Sequence, residues 1–93
     1  MSTKSERKAA REKVAIYHEE QLGRLVEQVA GAVDRYRAGE LDAYDADQAI
    51  FQYSRAAKEL WKFCNLPPPE SSARIIDDEH PTDWWERGAP RRR

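Results

Sequence analysis

Two stretches of this chain carry apolar residues at three- and four-residue steps, one on each side of a short polar break. In the first stretch these positions are Ala15, Leu22, Leu25, Val29, Ala32 and Tyr36. In the second stretch they are Ala46, Ala49, Ile50, Tyr53, Ala57, Leu60, Trp61 and Cys64. Such spacing follows the 3.6-residue period of an α-helix that buries one face. The pattern therefore predicts an all-α protein built on two amphipathic helices.

The ends of both helices carry recognisable capping residues. Thr3 and Glu6 have the spacing of a capping box, in which the threonine side chain accepts a bond from the first free amides of a helix. Gly39 is suited to the left-handed conformation that follows a helix, and Asp42 is a good N-cap for the next one. Proline residues 67–69 end the second helix. We therefore predict an antiparallel hairpin over residues 1–66, with a long first helix and a shorter second one.

The unequal lengths of the helices leave the start of the first one without a partner. At 1.5 Å per residue the first helix is about 52 Å long and the second about 33 Å long. Cys64 is then expected level with Tyr17 or His18, so residues 4–16 extend beyond the second helix. Residues 1–13 carry five basic and two acidic side chains, whereas residues 67–86 carry one basic and six acidic ones. These oppositely charged segments can attract each other, which would fold the tail onto this overhang, or act as separate docking surfaces.

The segment 67–93 is predicted to be a proline- and charge-rich tail of irregular structure, with one short extended piece at residues 73–76. Its most unusual feature is the pair Trp84 and Trp85, because tryptophan is a common interface anchor and is costly to expose. One hypothesis is that both tryptophans bind another protein, with Asp83 and Arg87 setting specificity. The alternative is that the tail folds back onto its own hairpin. Both alternatives stay open at this stage.

A two-helix hairpin buries little apolar surface relative to the chain entropy lost on folding. The aromatic residues Phe51, Trp61 and Phe63 are predicted to point partly away from the hairpin seam. We therefore expect these three residues to form an oligomer interface, most simply in a homodimer that makes a four-helix bundle.

Chemistry at an active site or a metal site is not expected. Cys64 and His18 are predicted to lie close together, and in a zinc site His80 could add a third ligand. However, the chain has no C-x-x-C or H-x-x-x-H spacing. A single cysteine usually behaves as a small hydrophobic residue. We predict no catalytic residue, no metal and no cofactor.

Composition excludes several classes of protein. The net charge is −1, which argues against a dedicated nucleic-acid binder. No apolar run approaches the roughly 18 residues of a membrane span. The single cysteine fits a reducing compartment. These features predict a cytoplasmic protein that does not associate with membranes.

The middle of the chain resembles a known group of sequences. Residues 33–65 read VDRYRAGELDAYDADQAIFQYSRAAKELWKFCN. A helix ending in R-x-G-E and a second helix ending in A-A-K-E-L-W-K-F-C are similar to small actinobacterial helical-hairpin proteins. The resemblance covers about a third of the chain and implies a bacterial origin. It brings no known activity.

Together these features predict a non-catalytic protein-interaction module, a small bacterial adaptor or antitoxin-like regulator that binds a protein partner through its C-terminal tail. The antitoxin comparison is one of architecture alone. The alternative is a homo-oligomeric structural protein whose tail packs on its own helices.

Overall fold

The fold consists of four helices joined by short connections. The computed structural model describes residues 3–90, so Arg91 to Arg93 lie outside the described residues. Helix α1 spans Lys4–Arg37, α2 spans Ala43–Asn65, α3 spans Pro69–Asp78 and α4 spans Trp84–Arg87. Helices α1 and α2 pack as the predicted antiparallel hairpin, and α3 and α4 lie against it. The prediction of an all-α protein with a long and a shorter helix is confirmed for the described residues.

The caps of the two long helices lie where the sequence predicts them. The hydroxyl oxygen of Thr3 accepts a hydrogen bond from the amide of Glu6 at 3.1 Å. The carboxylate of Asp42 accepts one from the amide of Asp45 at 2.8 Å. Gly39 has a φ of 80°, a left-handed conformation that glycine adopts without steric cost. Gly39 and the Asp42 cap lie at the hairpin turn, whereas the Thr3 cap begins α1.

The tail was predicted to be irregular with an extended piece at residues 73–76, and this prediction is wrong. Residues 69–78 form helix α3. Pro69 stands at the first helical position, where its fixed φ suits the helix and its missing N–H removes no hydrogen bond. Ser72, Ala73 and Ile76 are buried on one side of α3. Their packing outweighs the low helix propensity of the β-branched isoleucine.

The tail therefore forms a second layer on one side of the hairpin. The buried core includes residues from all four helices: Ala10, Val14, Tyr17, Leu25, Ala56, Leu60, Cys64, Ala73, Ile76 and Trp84. Ser72, a small residue, lets α3 approach α2 closely. Its hydroxyl donates a 2.8 Å hydrogen bond to the carbonyl of Phe63 in α2. Residues from the hairpin and from the tail thus share one core.

Helix α3 covers the overhang at the start of α1. The ammonium group of Lys13 lies 2.7 Å from the Asp77 carboxylate, which joins the basic and acidic segments. Val14, which has no partner on α2 in a bare hairpin, is buried here. Ile16 remains 70% exposed, at the rim of a cleft that it lines together with Ile76 and His80. The charge pattern of the sequence thus indicated the correct contact, although not the helical form of the tail.

Candidate protein-interaction surfaces

Trp84, the residue predicted to anchor a partner, lies in the core of its own chain. Only 2% of its surface is exposed. Its indole nitrogen donates a 2.8 Å hydrogen bond to the phenol oxygen of Tyr17. That phenol in turn donates a 2.6 Å hydrogen bond to the carbonyl of Pro81. The Trp84 ring also packs against Phe63, with 5.4 Å between ring centroids. In this state the Trp84 ring is not available to another protein.

Asp83 and Arg87 pair with each other across one turn of α4. The Arg87 guanidinium lies 3.1 Å from the Asp83 carboxylate and 4.3 Å from the centroid of the Trp84 ring. The hydrogen bond from Arg87 lowers the pKa of the Asp83 carboxyl. Both side chains remain about half exposed. The pair therefore covers one face of Trp84 and keeps a polar surface toward solvent.

Two polar side chains of α2 bind the backbone at the end of α4. The Gln52 amide donates a 2.9 Å hydrogen bond to the carbonyl of Trp85, and the Arg55 guanidinium donates a 2.6 Å bond to the carbonyl of Gly88. The Trp85 carbonyl also accepts a 3.1 Å hydrogen bond from the Gly88 amide, so Gln52 adds a second donor to it. Trp85 itself is half-buried against the hairpin. The side chains of α2 thus hold the C-terminal end of α4 against the hairpin.

Gly88 is buried at the point where the tail approaches α2 most closely. A Cβ atom on Gly88 would lie 2.6 Å from the amide nitrogen of Ala56 and 2.6 Å from the carbonyl oxygen of Gln52. Both are backbone atoms of a helix and cannot move aside cheaply. Glycine is therefore required here for the tail to dock.

The three residues predicted for an oligomer interface do not share one surface. Phe63 is half-buried within the core, with its ring 5.8 Å from that of Tyr17. Trp61 and Phe51 are 51% and 54% exposed. On α2 they differ by ten residues, which is about 80° around the helix axis, and Phe51 lies farther from α1. Phe63 therefore cannot contribute to an oligomer interface on the outside of the monomer.

The side of the hairpin opposite the tail carries apolar residues from both long helices, here called the open face. Trp61 lies nine residues from Gln52, which binds α4, and Val26 lies nine residues from Tyr17. Nine residues correspond to about 180° around a helix, so Trp61 and Val26 point away from the tail layer. The same helical side holds further apolar residues. The open face consists of Leu22, Val26, Val29 and Val33 of α1 and Ile50, Ala57 and Trp61 of α2.

Three large apolar side chains of the open face are exposed to solvent. Val26, Ile50 and Trp61 are each about half exposed, at 48%, 49% and 51%. The remaining four residues are half-buried. Leu22 and Val29 belong to the apolar stripe that the sequence predicts for α1. Val26 and Val33 extend this stripe beyond the hairpin seam, onto the side opposite the tail.

Cys64 and His18 lie at the same cleft, as predicted from the helix lengths. The cleft has a volume of about 330 Å³ and is lined by Arg11, Val14, Ala15, His18, Cys64, Asn65, Pro67 and Pro69. Burial raises the pKa of the Cys64 thiol to about 11, which disfavours the thiolate that nucleophilic catalysis and metal binding require.

His80 is not brought to this cleft. Its imidazole lies 3.6 Å from the Glu20 carboxylate and packs edge-on against the Tyr17 ring, 5.5 Å between centroids. Between residues 3 and 90, no group of three or more His, Cys, Asp or Glu side chains is placed to hold a metal ion.

Comparison with protein families, with curated proteins and with solved structures found no match for this chain. Among the described helices, none is both long enough and apolar enough to cross a membrane.

Proposed function

We propose that this chain is a non-catalytic protein-interaction module whose binding surface is the open face of the hairpin. The tail then has an internal role: it completes the core on the other side and holds the two long helices in register. This assignment corresponds to the alternative in which the tail packs on its own helices.

The observation that carries the proposal is the uneven coverage of the hairpin. One side is covered by α3 and α4, and its contacts include buried hydrogen bonds from Trp84 and Ser72. The opposite side leaves Val26, Ile50 and Trp61 about half exposed. A contiguous exposed apolar patch with a polar rim is typical of an interaction site. The presence of Trp61 in the patch matches the residue preference of binding hot spots.

Binding through the tail requires more rearrangement than binding through the open face. Trp84 would have to leave the core, break its hydrogen bond to Tyr17 and leave a cavity among aromatic rings. Truncation of a buried tryptophan costs about 3–5 kcal/mol in other proteins, which indicates the scale of this penalty. The open face needs no such change, so the geometry favours it over the tail as the binding surface.

Site-specific photocrosslinking tests this function. A benzophenone amino acid replaces Trp61 in the full chain, expressed in the cells that make the protein, and adducts are identified after illumination. Adducts from position 61 are the expected result, because the benzophenone then lies inside an interface.

The matched control carries the same benzophenone at Ile16. This residue is also on a long helix and is 70% exposed, but it lies outside the open face. Equal adduct yields from positions 16 and 61 would contradict the proposed function. Adducts from position 16 alone would place the binding surface on the side of the tail.

A further inference from the structure

We infer that the partner of the open face is a second copy of this chain, so that two hairpins pack face to face with their tails on the outside. The inference rests on the proposed function, because it names the occupant of the same surface. It predicts a dimer with a four-helix centre and a tail layer on each outer side.

The area of the open face matches what a stable dimer needs. Helix α2 has 23 residues. At 1.5 Å per residue, and with two adjacent helices about 10 Å wide, the face measures about 35 Å by about 20 Å. Covering it on both copies buries about 1,400 Å², within the roughly 1,200–2,000 Å² of stable specific interfaces.

The rim of the open face carries charges of both signs in a diagonal arrangement. Glu19 and Lys58 lie at the open end of the hairpin, on α1 and α2 respectively. Arg37 and Asp47 lie near the turn, again on α1 and α2. All four side chains are exposed, and none makes an ion pair with another described residue.

Helical spacing places these four residues at the outer edges of the face. Glu19 and Arg37 stand seven residues before and eleven residues after Val26, steps that keep them on the same side of α1. Asp47 stands three residues before Ile50, and Lys58 three residues before Trp61. The α1 edge thus runs from acidic to basic toward the turn, and the α2 edge runs from basic to acidic.

This diagonal pattern is complementary to itself. If the two-fold axis runs along the helices, α1 of one copy lies over α2 of the other, so Glu19 meets Lys58 and Arg37 meets Asp47. If the axis runs across the helices, each helix lies over its own copy in the opposite direction. Glu19 then approaches Arg37, and Asp47 approaches Lys58. Both face-to-face arrangements therefore bring opposite charges together, which favours a second copy over an unrelated partner.

Sedimentation equilibrium on the full chain tests the inference, over about 1 to 200 µM protein, a range in which a weak dimer dissociates by mass action. The expected mass is twice that of one chain at the upper end. Trp61→Glu and Val26→Glu each place a charge among the apolar residues of the open face. Each is expected to raise the dimer dissociation constant by about tenfold or more. Ile16→Glu, outside the face, is the matched control and is expected to leave it unchanged.

Circular dichroism of the variants checks that the monomer stays helical, which is expected because both positions are about half exposed in the monomer. A full chain that is monomeric throughout the concentration range overturns the second copy as partner. Equal weakening of the dimer by Trp61→Glu and Ile16→Glu would also overturn it.

Crosslinking separates this failure from failure of the proposed function. If the chain is monomeric but the benzophenone at position 61 captures a different protein, the second copy is excluded and the interaction role stands. If position 61 gives no adduct of either kind, both proposals fail.

Discussion

The indole nitrogen of Trp84 donates a 2.8 Å hydrogen bond to the phenol oxygen of Tyr17, 67 positions earlier in the chain. The same phenol donates to the carbonyl of Pro81, so one buried side chain of α1 binds the tail at two points. On α2, Gln52 and Arg55 bind two further carbonyls of the tail. The tail is therefore held by both long helices, and its hydrogen bonds require that α1 and α2 keep this register.

Replacing Tyr17 with Phe should lower the free energy of unfolding by about 1–3 kcal/mol, because the Trp84 indole and the Pro81 carbonyl both lose their partner. Urea denaturation measures this change. Tyr44→Phe is the control, since Tyr44 is 82% exposed and the change should stay within about 0.5 kcal/mol. Equal losses in the two variants would show that the Tyr17 hydroxyl does not hold the tail.

Glycine-to-alanine substitutions should have opposite effects at Gly88 and Gly31. At Gly88 the new Cβ meets the backbone of α2 at 2.6 Å, so we expect a loss of about 1–3 kcal/mol and weaker docking of α4. At Gly31 a Cβ meets nothing within 4 Å, so alanine should stabilise α1 by up to about 1 kcal/mol.

Thermal unfolding measures both glycine effects, and trypsin cleavage after Arg87 follows the release of the tail. The cleavage rate should rise in Gly88→Ala and stay unchanged in Gly31→Ala. A Gly88→Ala variant as stable and as resistant as the native chain would contradict the close packing of Gly88 on α2.

Stability should fall in alkaline solution because of Cys64. Burial raises the pKa of its thiol from 9.0 to about 11. Between these values the unfolded thiol ionises while the folded thiol keeps its proton, so the folded state binds more protons. The free energy of unfolding then decreases as pH rises, by at most about 1.4 kcal/mol per pH unit from this group.

Urea denaturation at several pH values, from about 8, below the pKa of the unfolded thiol, to about 11, measures the slope. Cys64→Ala should make it shallower. A residual slope is expected, since burial also raises the pKa of Tyr17. If Cys64→Ala leaves the slope unchanged, the thiol is not protected by the fold.

Charge reversal on the rim of the open face should weaken the proposed dimer and then restore it. Glu19→Lys alone places like charges together in either two-fold arrangement, and we expect a roughly two- to tenfold rise in the dissociation constant. Adding Lys58→Glu should restore association if the axis runs along the helices. Adding Arg37→Glu should restore it if the axis runs across them.

Sedimentation equilibrium at low salt measures these dissociation constants, because salt screens exposed pairs. Lys8→Glu, far from the open face along α1, serves as the control for a change in net charge. Failure of both double variants to restore the dimer would show that the rim charges do not meet between copies.

The hairpin could be predicted from the sequence because its signals are local. The caps at Thr3 and Asp42 and the left-handed Gly39 each depend on neighbouring residues alone. The apolar steps along each helix likewise depend on a short window of sequence. Opposite charges also indicated that the tail meets the overhang, as the Lys13–Asp77 pair shows.

The tail could not be predicted in the same way because its structure depends on distant residues. The proline run before α3 signals the end of α2, and the same run also supplies the first residue of α3. Ile75 and Ile76 favour an extended chain until Ile76 is buried against α1. Phe63 was assigned to an outer surface because its actual neighbours, Tyr17 and Trp84, come from segments 46 residues before and 21 residues after it.

The overhang of α1 has a consequence for the order in which the molecule assembles. The hairpin needs only contacts across one short turn, which form early because little chain must be closed. The first third of α1 acquires its partner only when residues 69–84 have been synthesised, after both helices of the hairpin. A segment made before the hairpin turn is therefore stabilised by one made after both long helices. A translation product that stops before Trp84 would lack the indole that fills the core beside Tyr17.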